Sequence, residues 1–168
     1  MDFKNIEPTE LTINPFSAIG NDWMLITAGN EQKHNTMTAS WGGLGVLWGK
    51  KTAFCFIRPQ RYTLEFVDNN DLFTLSIFDH KLYKDALDIC GKYSGRDIDK
   101  DEKAGITPLY TDGTVAYNEA KLIFVVKKLY RQDIDPKYFL DPSIDKNYAQ
   151  KDYHKMFVGE IVKVYEKK

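Results

Sequence analysis

The stretch Asn35–Gly49, NTMTASWGGLGVLWG, decides how the rest of this chain is read. From Thr36 to Trp41 polar and apolar residues alternate, and alternate side chains of a strand share a face. Thr36, Thr38 and Ser40 would therefore present three hydroxyls in line, with Met37, Ala39 and Trp41 on the opposite face. Such a row can hydrogen-bond phosphate or polyol oxygens with help from nearby backbone amides. It is equally what a solvated strand face looks like, because threonine suits strands. The spacing predicts a strand that breaks at Gly42-Gly43, with LGVLW as a further strand. Gly43-x-Gly45 imitates part of a dinucleotide fingerprint, but Trp48 stands where that motif needs glycine and no amphipathic helix follows. GGLGVLWG is expected to form a tight, aromatic-lined turn between strands.

Upstream, WMLITAG (23–29) reads as a strand ended by Gly29, followed by a polar turn. Downstream, TAFCFIR is a strand that Pro59 must end or leave at a sheet edge. Arg61 to Asn70 suits a short helix pairing Tyr62 with Phe66, and LFTLSIF is a strand. Asp79 is a plausible N-cap for a helix carrying Leu82, Tyr83, Ala86, Leu87 and Cys90 on one face, with Gly91 placed to stop it. AKLIFVVKKLYRQD is a long strand, DPKYFLDPSIDKNYAQ is irregular, and KMFVGEIVKVYEK closes the chain as a strand. Many strands with few short helices argue for an all-β barrel with short helical insertions. A doubly wound parallel sheet would need strands alternating with longer helices.

The totals narrow the function classes. At 168 residues one domain is expected, with a core large enough to need no staples. The net charge of −1 carries no basic excess, which argues against a nucleic-acid binder. No apolar run approaches the ~18 residues of a membrane span. MDFKNIEPTELTINPF lacks the charged start and apolar stretch of a signal peptide, so a cytoplasmic protein is expected. Cys55 and Cys90 lack a CxxC spacing and sit among apolar residues as buried thiols would, and His34, His80 and His154 are too scattered to suggest a metal site.

Three further segments could carry chemistry. In RPQRYT, Arg58 ends a strand and Arg61 starts a helix, so two guanidiniums, Thr63 and a helix N-terminus would converge on one spot suited to an anion, unless the arginines form surface salt bridges. In GKYSGRDIDK, amides near Ser94 and Gly95 could form a small anion nest beside Arg96 or Lys100, although a plain loop reads the same way. In DYHKMFVGEI, His154 beside Tyr153 is a candidate general acid or base, or a structural histidine.

Taken together, these residues resemble the flavin reductase-like family of FMN-binding split barrels, especially its flavoredoxin-like branch. WMLITAG, NTMTASWGG, FIRPQRYT, CGKYSGRD and DYHKMFVGEI carry the resemblance in family order over nearly the whole chain. It implies a Greek-key split β-barrel of the FMN-binding type spanning residues 1–168, a homodimer, and FMN near the subunit interface. Thr38, Ala39, Ser40 and Trp41 would line the flavin and its ribityl tail, while Arg58, Arg61 and Thr63 would hold the phosphate. Ser94, Gly95 and Lys100 would close over the same end, and Thr36, Met37, Tyr62 and Cys90 complete the implied cofactor-binding set. His154 matches a family histidine near the isoalloxazine ring and is the implied catalytic residue. The implied activity is hydride transfer from NAD(P)H to FMN and onward to a flavin or another acceptor, with no metal. The alternatives are a flavoredoxin-type electron carrier, a non-catalytic flavin-binding protein and a structural dimer without ligand.

Overall fold

In the computed structural model, which describes residues 2–168, one long strand organises the main sheet. β10 (Lys155–Lys167) pairs with β9 (Leu122–Asp133) from Lys155 to Glu166. On its other side it pairs first with β5 (Lys50–Ile57) and then with β1 (Phe3–Ile6). Beyond β9 the sheet continues through β6 (Leu72–Ile77) and β2 (Met24–Gly29) to an edge at β3 (His34–Ala39). Beyond β5 it ends at β4 (Gly42–Leu47), and every pairing is antiparallel.

Register shifts at Val158/Gly159 and Ile161/Lys163 bend β10. A side chain at Gly159 would run into Val126 and the Lys127 carbonyl, so glycine lets the two strands stay close through the bend. The curled sheet encloses one core, to which Ile26, Met37, Cys55, Leu75, Phe124 and Phe157 contribute from six different strands. Strand alternation sends Leu25 and Ile123 outward. There α3 (His80–Lys92) and the hairpin β7 (Pro108–Thr111)–β8 (Thr114–Tyr117) cover them with Leu87, Cys90, Ala116 and Tyr117. Covered on both faces, β2 is buried at all its positions. Three short helices, α1 (Pro15–Gly20), α2 (Thr63–Asn69) and α4 (Lys100–Ala104), complete an all-β architecture with helical insertions. No helix among the described residues is long and apolar enough to cross a membrane.

Several local expectations are corrected. Gly42 and Gly43 lie inside β4, and the turn is confined to Trp48 and Gly49, at φ 53° and 68°. Two successive positive φ angles are the pattern of a type I′ hairpin. Gly42 is a point of close approach, since a Cβ there would stand 2.7 Å from the Phe54 carbonyl oxygen. Gly91 does not stop α3, which runs on to Lys92. A Cβ at Gly91 would come 3.3 Å from that of Thr38, so the glycine lets α3 lie close on β3. Leu82 is exposed, because Tyr83 leaves helical geometry at φ −118°, ψ 17° and turns the first residues of α3 away from the buried face.

Candidate functional site

Two cavities follow one another along β3. The first, about 240 Å³, is lined by Met37–Trp41 together with Phe56, Arg58, Arg61 and His154. The second, about 290 Å³, is lined by Glu31–Thr36, Tyr62, Gly95 and the segment from Ile98 to Asp101. β3 is an edge strand, so the cavities sit where the sheet has no further strand.

Between them stand two cations held by backbone carbonyls. Arg61 Nη1 donates to the Gly91 carbonyl at 2.7 Å and Nη2 to the Cys90 carbonyl at 3.2 Å. The Lys100 ammonium donates to the same Cys90 carbonyl at 2.9 Å and to the Thr36 carbonyl at 2.6 Å. Carbonyls at the end of α3 suit cations, because that end of a helix carries partial negative charge. Yet neither group has a carboxylate within ion-pair distance among the described residues. Burial, and then the neighbouring Arg61, push the Lys100 ammonium down to about 8. Burial also holds Arg61 below its ordinary value. An unbalanced buried cation pair costs free energy unless an anion joins it.

Arg58 is placed differently. It pairs with Asp152 at 2.6 Å, donates to the Asn147 carbonyl at 2.9 Å and stacks over the Tyr148 ring at 5.1 Å. Gln60 donates to the same Asp152 oxygen at 2.7 Å. These contacts pin the segment between β9 and β10, with its 3₁₀ turns Pro136–Tyr138 and Pro142–Asn147, onto the barrel.

His154 forms the far wall, its ring 5.0 Å from that of Trp41 and 6.4 Å from that of Phe56. Burial, and then Arg58, push its pKa down to about 4, so the ring is neutral near pH 7. Its Nδ1 lies 2.9 Å from the Tyr148 hydroxyl, which burial keeps protonated. With that hydroxyl as donor, Nδ1 is the acceptor and the ring proton sits on Nε2.

The structure gathers Met37, Thr38, Ala39, Ser40, Trp41, Arg58, Arg61 and His154 in the first cavity, and Thr36, Tyr62, Gly95 and Lys100 in the second. The hydroxyl row does not open on either as a unit. Thr36 is buried with its Oγ1 2.8 Å from that of Thr27, and Thr38 donates to the Leu87 carbonyl at 2.5 Å, because this face of β3 lies under α3. Thr63 is fully buried and accepts from Asn35 Nδ2 at 2.7 Å. The Ser94 hydroxyl accepts from the Arg96 amide at 3.2 Å. Cys90 takes part through its carbonyl; burial pushes its thiol up to about 11. Sequence reasoning passed over Phe56, Tyr148 and Asp152. Phe56 could have been found as the residue after Cys55 on the opposite face of β5, whereas no spacing signals Tyr148 or Asp152.

Neither protein-family models nor curated proteins match this chain. Solved structures do. An FMN-binding domain of a flavin reductases-like enzyme from Shewanella baltica OS155 superposes with a TM-score of 0.70 at 14% identity, covering 98% of this chain and 77% of that one. The flavoredoxin of Desulfovibrio vulgaris (Miyazaki F) gives 0.65 at 21% identity, over 96% and 75%. The NADH:FAD oxidoreductase of Streptomyces globisporus C-1027, in complex with NAD and FAD fragments, gives 0.63 at 13%, over 86% and 74%. The fold is the flavin reductase-like split barrel. At these identities the likeness is one of architecture, and split barrels of different activity share it.

Proposed function

We propose that this split barrel is an FMN-dependent oxidoreductase that accepts hydride from NAD(P)H and passes electrons to a flavin or another acceptor. The observation that carries the reading is the Arg61–Lys100 pair, two cations sharing one carbonyl, neither with a carboxylate in ion-pair distance among the described residues. A phosphate monoester supplies the missing charge and several acceptor oxygens, so the donor set fits the phosphate end of FMN. The adjoining cavity suits a flat ring system, since Trp41, Phe56 and His154 wall it and no carboxylate lines it.

Bound FMN would supply hydride acceptance and release. The chain's own residues would do the rest. Arg61 and Lys100 would hold the phosphate, the backbone and side chains of Met37–Trp41 would flank the flavin, and Trp41 and Phe56 would exclude water. His154, neutral near pH 7, would donate a hydrogen bond through Nε2 instead of acting as a general acid. Exposed Phe16, Trp41, Val46, Trp48 and Leu140 support a homodimer, and two free cysteines are compatible with a cytoplasmic location.

The absorption spectrum of freshly purified protein tests the cofactor. Bands of oxidised flavin that survive gel filtration support it, and a colourless protein that takes up no added FMN refutes it. Stopped-flow mixing with NADH and NADPH then tests the hydride step. The second reading, an electron carrier, is favoured by the likeness to a flavoredoxin at comparable TM-score; reduction only by a protein donor would select it.

A further inference from the structure

α4 has five residues, too few to stay helical unaided. Asp99 caps its start by accepting from the amides of Asp101 and Glu102, and Gly105 ends it in the left-handed conformation. Asp101 then ties it to two strands. Its Oδ2 accepts from His34 Nε2 at 2.7 Å, and its Oδ1 accepts from the hydroxyl of fully buried Tyr117 at 2.8 Å. His34 Nδ1 stands 3.3 Å from the Asn30 carbonyl. A carbonyl and a carboxylate can only accept, so the ring satisfies both when both nitrogens carry protons. Asp101 also draws the His34 pKa upward. The residue beside Asp101 is Lys100, the cation that reaches the Thr36 and Cys90 carbonyls.

We propose that His34 and Asp101 are positioning residues: their imidazolium–carboxylate clasp fixes α4 between β3 and β8 and thereby sets where the Lys100 ammonium stands. The assignment rests on the reading of Arg61 and Lys100 as the phosphate end of an FMN site. The clasp also settles a charge. Asp101 spends its oxygens on His34 and Tyr117 and makes no ion pair with Lys100, whose ammonium bonds only carbonyls. The other charged or titratable groups around the imidazole are Glu31 and Lys33 in the preceding turn, Asp99 and Lys100 at α4, Tyr110 of β7 with its ring 5.9 Å away, and Tyr117 of β8. Of the carboxylates, Asp101 alone bonds the ring.

Riboflavin has the ring and tail of FMN without the phosphate, so it separates a positioning role from general loosening. Fluorescence titrations with FMN and riboflavin would compare the wild-type protein with His34→Ala, Asp101→Ala and Asp101→Asn. FMN affinity should fall about tenfold in the two alanine variants while riboflavin affinity stays within about twofold. Asp101→Asn should lose less, because its amide oxygen keeps one of the two bonds. Long-range ¹H–¹⁵N spectra of the flavin-free protein should show His34 keeping both ring protons to higher pH than in Asp101→Ala. Equal losses for both flavins, or unchanged FMN affinity in the alanine variants, would overturn the assignment alone. A wild-type protein that binds neither flavin would overturn the cofactor reading and this assignment with it.

Discussion

Arg61 and Lys100 meet on one oxygen atom. The guanidinium reaches the Cys90 carbonyl at 3.2 Å and the ammonium at 2.9 Å, at the end of α3. Two positive groups on one acceptor repel each other, and the repulsion turns into attraction for whatever anion lies between them.

The first prediction follows from the Lys100 pKa, which burial and Arg61 push down to about 8 from an ordinary 10.5. Below about pH 8 the amine is charged in both folded and unfolded chains. Between 8 and 10.5 only the unfolded chain keeps the proton, so this group makes the flavin-free protein more stable as pH rises through that window. Binding at the proposed phosphate end runs the other way, because it needs the ammonium. FMN affinity should fall by about tenfold or more above pH 8, with riboflavin affinity flat. Urea melts and fluorescence titrations between pH 7 and 10 check both slopes, and Lys100→Met should flatten them.

Arg58 and Arg61 should part company when mutated singly. Arg61→Ala removes a cation from the proposed phosphate end and should weaken FMN by about 1.5–3 kcal/mol. Arg58→Ala strips Asp152, the Asn147 carbonyl and the Tyr148 ring of their partner. Its main effect should be faster amide exchange between Ile134 and Lys151, with a smaller change in flavin affinity. Hydrogen-exchange mass spectrometry beside an FMN titration distinguishes the two outcomes.

Gly95→Ala should cost about 1–3 kcal/mol of stability. The new Cβ would collide with Asn35 Oδ1, the amide that also donates to buried Thr63. Chemical denaturation reads the loss, and adding Asn35→Ala should recover part of it by removing the obstacle.

His154 predicts an acid-sensitive window. Its folded pKa of about 4 lies below the ordinary 6.5, so between those values the unfolded chain binds a proton that the folded chain refuses. The stability from the neutral ring is complete above pH 6.5 and is lost as pH falls toward 4, on the order of 2–3 kcal/mol. His154→Leu should remove that part of the slope in melts recorded at pH 7.5, 5.5 and 4.5. Activity should show no inflection from this residue between pH 6 and 8.

The long strands were legible because their apolar patterns are local. WMLITAG, LFTLSIF, LIFVVKKLYRQD and KMFVGEIVKVYEK need no partner to announce themselves, and β2, β6, β9 and β10 follow. FKNI and TVAY are four residues each and become strands only because β10 and β7 lie beside them, so β1 and β8 went unread. Glycine misled twice. Gly42 and Gly91 looked like stops, but Gly42 lies where the Phe54 carbonyl leaves no room for a side chain, and Gly91 where Thr38 leaves little. In the site, residue types pointed to cationic and aromatic groups, and the structure places Arg61 and Trp41 at one cavity and Lys100 and Tyr62 at the other. The direction of each hydroxyl depended on which face of β3 the helix α3 would cover, which alternation alone leaves open. The partners of Arg58 come from a segment more than eighty residues away, beyond the reach of any spacing rule.

Asp152 gives the first cavity a resident competitor. Any acidic ligand that seeks Arg58 must first evict a carboxylate already seated at 2.6 Å, and Gln60 loses its acceptor in the same exchange. A guest that does win Arg58 therefore also frees the segment between β9 and β10 from the two side chains that hold it to the barrel.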